Sequence, residues 1–107
     1  MSTKIDPLKI PASVEESGDG VELLRFWVSQ NAEQMSLRVG AMGDAEKEPA
    51  MWGFILADVA RHVMTIIREQ NPTGPDAQAL LETMMTGFAE RMKANPVLPQ
   101  NVTERTE

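Results

Sequence analysis

The sequence predicts a small α+β protein in which an antiparallel β-hairpin is followed by two antiparallel α-helices (β-β-α-α). Three observations lead to this fold class. Apolar and polar residues alternate within residues 24–41 with the two-residue period of strands. Two later segments carry apolar residues at the 3.6-residue period of helices. A short segment rich in proline and glycine joins these helices, so we expect them to be antiparallel neighbours.

The hairpin is predicted from alternating residues on both sides of a polar turn at 31–34. This turn sets a register that places apolar pairs on one face: Val28 with Leu37, Phe26 with Val39, and Leu24 with Ala41. On the other face, Trp27 is expected opposite Arg38, where a cation–π contact can form.

Both helices have start and stop signals. Pro49 suits the first turn of a helix over 48–70, because its missing N–H needs no partner there. The segment Asn71–Pro75 ends that helix. A second helix is predicted from Asp76 to about Asn95, with Thr73 as its expected N-cap.

The chain is predicted to contain one folded domain. Residues 1–20 form a flexible N-terminal arm, residues 21–95 the α+β domain, and residues 96–107 a disordered C-terminal tail. A two-stranded hairpin is marginal alone, so we expect the helical pair to cover one of its faces. A domain of this size still buries only about 60% of its unfolded surface. We therefore predict a homodimer or a small protein partner.

Composition excludes several kinds of function. Among 107 residues there is no cysteine and one histidine, which argues against disulfides, thiol nucleophiles, structural zinc and other cofactor sites. A net charge of −6 disfavours nucleic-acid binding. No secretory signal is recognisable, and the longest uninterrupted apolar run, residues 50–57, is shorter than the ~20 residues of a membrane span. We predict a cytoplasmic protein without membrane contact.

Three polar residues of the first helix are candidates for ligand binding. Arg61 and His62 follow Asp58 by three and four residues, so their side chains lie near that of Asp58 on the helix. They could form an anion or small-ligand site, or only a structural ion pair at the rim. Since no nucleophile or third metal ligand is recognisable, we predict no catalytic and no metal site. The favoured function is non-enzymatic protein–protein contact, and the alternative is a ligand binder or enzyme that uses this rim.

A second set of residues is predicted to form an interface. Phe54 points away from the main apolar stripe of the first helix, with Met51 and Met64 on its flanks. Trp27, on the second face of the hairpin, could belong to the same surface. These four residues are the candidate self-association or partner surface.

Segments 22–28 and 35–38, together with the helix pattern Trp52-Gly53…Asp58-x-Ala60-Arg61-His62, resemble one particular family. It is a domain-of-unknown-function family of small alphaproteobacterial proteins. The resemblance implies a small cytoplasmic α+β protein. It implies no activity, substrate or cofactor, and no catalytic residue.

Overall fold

The protein is described by a computed structural model that covers residues 5–94 and the backbone of residues 102–106. The elements follow the order α1 (Ala12–Ser17), β1 (Leu24–Ser29), β2 (Ala32–Val39), α2 (Glu48–Gln70), α3 (Ala77–Ala94) and β3 (Val102–Thr106). An antiparallel hairpin followed by two long helices confirms the predicted α+β class.

The hairpin turns earlier than the sequence predicted, so the predicted register is wrong by four residues. The observed pairs are Leu24 with Leu37, Phe26 with Met35, and Val28 with Glu33. The turn consists of Gln30 and Asn31, whose φ angles of 53° and 61° are those of a type I′ turn. Because the difference is an even number of residues, the three apolar residues of β1 still share one face, as predicted.

This turn allows a first test of the structure. The double variant Gln30→Asn/Asn31→Gly introduces the residue pair that type I′ turns prefer, and glycine adopts positive φ without steric cost. We expect the free energy of unfolding to rise by about 1 kcal/mol in chemical denaturation. The control, Ser36→Gly in the middle of β2, should lower it by about 0.5–1 kcal/mol. A turn variant that destabilises the protein would contradict the two-residue turn.

The sheet has three strands, because β3 pairs in parallel with β2 and gives the order β1-β2-β3. The backbone of Val102–Thr106 is therefore a strand where the sequence predicted a disordered tail. The other residues of the predicted tail, 96–101 and 107, lie outside the described residues. The N-terminal arm contains the short helix α1, ended by Gly18 with a φ of 69°, and adds no strand within residues 5–23.

The two long helices begin and end close to the predicted residues. Helix α2 has the predicted bounds, with Pro49 in its first turn. It ends where Asn71 donates a side-chain hydrogen bond of 3.1 Å to the Ile67 carbonyl. At the start of α3, a carboxylate oxygen of Asp76 accepts a 2.9 Å hydrogen bond from the Ala79 N–H. The N-cap is therefore Asp76, and the prediction of Thr73 is wrong.

The helical pair does not cover the sheet within this chain, contrary to expectation. Among the described elements, Cα atoms of different elements lie within 8 Å of each other in three pairs of elements: β1 with β2, β2 with β3, and α2 with α3. Neither long helix approaches a strand that closely. The sheet and the helical pair are thus two units, which are connected by the segment 40–47 and by an exposed ion pair of 3.9 Å between Arg91 of α3 and Glu33 of β2.

Candidate interaction surface

No apolar side chain among residues 5–94 is buried. The chain has a solvent-accessible surface of 9427 Å², whereas a compact monomer of 11.8 kDa exposes about 5,900 Å². Its radius of gyration is 16.4 Å, and a compact domain of this length has about 13 Å. A single chain therefore leaves open the surface that normally forms a hydrophobic core.

Helix α2 carries the most regular part of this open surface. Leu56, Val59, Val63 and Ile66 are spaced by three, four and three residues, so they form one stripe along the helix. Between 39% and 51% of each residue's surface is exposed. We call these four residues the α2 stripe. Ala60, Met64 and Ile67, on an adjoining side of the helix, are only half-exposed.

Two further apolar surfaces are open in the chain. Along α3, exposed residues again have helical spacing: Leu81, Met85, Phe88 and Met92. Between the N-terminal arm and β1 lies a groove of about 600 Å³, whose apolar lining includes Leu8, Ile10, Val14, Val21, Phe26 and Val28. The helical pair and the sheet therefore each present apolar surface that the chain itself does not cover.

Glu48 connects the two units and was not identified from the sequence. Among the charged residues of the segment 5–94, Glu48 is the one that is buried, with 5% of its surface exposed. One oxygen of its carboxylate accepts hydrogen bonds from the Gly40 N–H at 2.9 Å and from the Trp52 indole N–H at 3.0 Å. Its position in the first turn of α2 also favours a negative charge. The sequence signal that could have indicated this hydrogen bond is a glutamate at the start of a helix with a tryptophan four residues later.

The four residues predicted to form an interface do not lie together. Phe54 and Met51 are exposed on α2, and 62% of Phe54 is accessible. Met64 is half-buried and nearer to the side of Ala60 and Ile67. Trp27, on β1, is half-buried and lies opposite Gln34 rather than opposite Arg38 as predicted. Their role in an interface stays a prediction.

Asp58, Arg61 and His62 are all exposed on α2. Within residues 5–94, no side-chain hydrogen bond and no ion pair within 4.0 Å joins any two of them. The same part of the chain contains no cluster of three potential metal ligands. Helical spacing places the three residues on one side of α2, but no side chain of residues 5–94 forms a hydrogen bond or an ion pair with their side chains. Their ligand-binding role also stays a prediction.

Helix α2 is more apolar over its whole length than the short apolar run at residues 50–57 indicated. Among the described helices, it is long and apolar enough to span a membrane by length and composition. Asp58 and Arg61 lie in the middle of that segment, where each charge costs about 2.5–3.5 kcal/mol in a bilayer. The core helix of a protein meets the same criterion, and no described part of the chain covers the α2 stripe.

The fold and its open surfaces define a small α+β protein with a three-stranded sheet and an exposed helical pair. Comparison with protein families then gives the identification. Residues 7–95 match the family described as a domain of unknown function, DUF5076, and the chain belongs to that family. The sequence resemblance to a family of unknown function is confirmed at this level.

A solved structure supports the fold. It comes from the photosynthetic bacterium Rhodopseudomonas palustrus CGA009 and carries a provisional designation as a pyruvate dehydrogenase. The similarity has a TM-score of 0.70 and 24% sequence identity, and covers 99% of this chain and 100% of that one. At this identity the likeness concerns the fold alone. No curated protein matches the chain.

Proposed function

We propose that this protein acts through protein–protein contact, and that the first contact is between two copies of the chain. The observation that carries this proposal is the open apolar surface. No apolar side chain among residues 5–94 is buried, and folded proteins of this size need such burial to offset the lost conformational entropy.

The amount of open surface is suited to a permanent partner. The chain exposes about 3,500 Å² more than a compact monomer of its mass. For two copies this surplus is about 7,000 Å², which is more than the roughly 2,000–5,000 Å² in total that obligate homodimers bury in interfaces resembling a domain core cut in half. Two copies that cover each other would thus complete the cores that the single chain lacks.

The test is the mass of the protein in solution. We expect sedimentation velocity and light scattering at micromolar concentration to give twice the chain mass. The variant Arg61→Ala should keep that mass, because Arg61 lies on the side of α2 opposite the α2 stripe. A wild-type monomer with native-like secondary structure would contradict self-association.

The rim also distinguishes the alternative function. A ligand binder or enzyme that uses Asp58, Arg61 and His62 requires these exposed side chains to gather around a small molecule. Specific chemical-shift changes of His62 on addition of anions or metal ions would support that alternative. Self-association is favoured because the apolar surface is extensive, and because the described residues hold no cluster of potential metal ligands at this rim.

A further inference from the structure

We propose that α2 pairs with α2 of a second copy in antiparallel orientation, through the α2 stripe. This inference rests on the proposed self-association and names its central contact. The spacing of three, four and three residues is that of helix–helix seams, in which apolar side chains repeat every 3.5 residues. Each of the four residues is 39–51% exposed in the single chain.

The α2 stripe is complementary to itself when the second helix is reversed. Its spacing is the same in both directions, so an antiparallel copy places Val59 at the level of the partner's Val63. Leu56 then lies at the level of the partner's Ile66. Both pairs combine side chains of similar size, so the layers along the seam have equal width. A two-fold interface requires this property, because the same surface contributes from both sides.

Polar residues along one edge of the stripe favour the same orientation. Asp58 and His62 lie on the same flank of the stripe, and equal flanks meet when two helices pair in antiparallel orientation. In the proposed pairing, His62 is about 3 Å along the axis from the partner's Asp58, at a rise of 1.5 Å per residue. The imidazole of His62 is thus placed where it can donate a hydrogen bond to the partner's Asp58 across the seam. In a parallel pair unequal flanks meet, so His62 would not lie beside the partner's Asp58.

Other surfaces of the chain fit a second helix less well. Phe54 is nine residues before Val63, which is two and a half turns, and therefore lies on the opposite side of α2. It is flanked by Asp58 and Arg61, so its surroundings are polar. The groove beside β1 is partly closed by the chain's own arm. The exposed residues of α3 also have the same spacing in both directions, but a reversed copy would pair Met85 with the larger, aromatic Phe88. Between the two helical stripes, the α2 stripe is the one whose reversed copy pairs side chains of equal size in both layers.

Cross-linking of single-cysteine variants tests this pairing, since the chain has no cysteine of its own. Leu56→Cys and Ile66→Cys proteins are refolded together and treated with a short bismaleimide. The same is done with Val59→Cys and Val63→Cys. Both mixtures should yield covalent dimers in high proportion. Leu56→Cys alone and any mixture with Phe54→Cys should yield at least tenfold less, and circular dichroism verifies that each variant folds.

The possible results separate this inference from the proposed function. Coupling of Leu56→Cys to itself would indicate parallel helices and overturn the inference. So would coupling of Val59→Cys to Phe88→Cys or Phe26→Cys, which would mean that α2 packs on the partner's α3 or sheet. In these cases self-association stands. A folded monomer in light scattering would overturn both proposals. So would α2 cysteines that are protected from the maleimide only when phosphatidylcholine vesicles are present.

Discussion

Replacing Val63 with aspartate is expected to abolish the dimer and, with it, most of the folded structure. The substitution places a charge in the middle of the α2 stripe of both copies. An unpaired charge in an apolar interface costs at least about 3 kcal/mol, which weakens association more than about a hundredfold. Light scattering and chemical denaturation at equal protein concentration measure the two effects.

The matched control is Phe54→Asp on the opposite side of the same helix. It introduces the same charge and also replaces an apolar residue, but at a position that is 62% exposed. We expect its dimer mass to equal that of the wild type and its free energy of unfolding to change by less than about 1 kcal/mol. The reverse result, a Val63→Asp dimer and a Phe54→Asp monomer, would transfer the interface to the Phe54 side of α2.

Replacing Glu48 with alanine is expected to have the next largest effect. The Gly40 N–H and the Trp52 indole N–H would both lose the oxygen that accepts their hydrogen bonds at 2.9 and 3.0 Å. Each donor left without a partner in a partly buried site costs about 1–3 kcal/mol. We expect a loss of about 2–4 kcal/mol in denaturation followed by tryptophan fluorescence.

Two variants make this prediction specific to the Glu48 carboxylate. Glu48→Gln keeps a carbonyl oxygen in place and should lose only about 1 kcal/mol, since neutral acceptors form weaker hydrogen bonds. Glu46→Ala removes an exposed carboxylate from the same segment and should be nearly neutral. Equal losses for Glu48→Ala and Glu46→Ala would show that the connection between β2 and α2 does not depend on Glu48.

Local signals sufficed for the helices and the strand faces. Pro49 and the segment after Gln70 mark the bounds of α2 because both act on the backbone within one turn. The apolar face of β1 was also predictable, since alternation alone decides which residues share a face. The turn was not, because glutamine and asparagine at 30 and 31 are not the asparagine–glycine pair that usually indicates a type I′ turn.

Features that depend on contacts between distant parts of the chain could not be predicted from the sequence. Val102–Thr106 is short and polar, and its pairing with β2 depends on a partner more than 60 residues away in the chain. The role of Glu48 requires the position of Gly40, which no spacing rule supplies. The expected packing of the helices on the sheet was wrong for a related reason. An apolar stripe such as that on α2 indicates that this face of the helix packs against something. It does not distinguish packing on the sheet of the same chain from packing on a helix of a second chain.

The dependence of thermal stability on protein concentration tests the central claim most directly, because it asks whether folding and association are one process. If two chains complete each other's core, each tenfold rise in concentration stabilises the dimer by about 1.4 kcal/mol. The midpoint of thermal unfolding should then rise by roughly 3–5 °C per tenfold increase. A cooperative transition whose midpoint is independent of concentration, together with the mass of a single chain, would contradict the account.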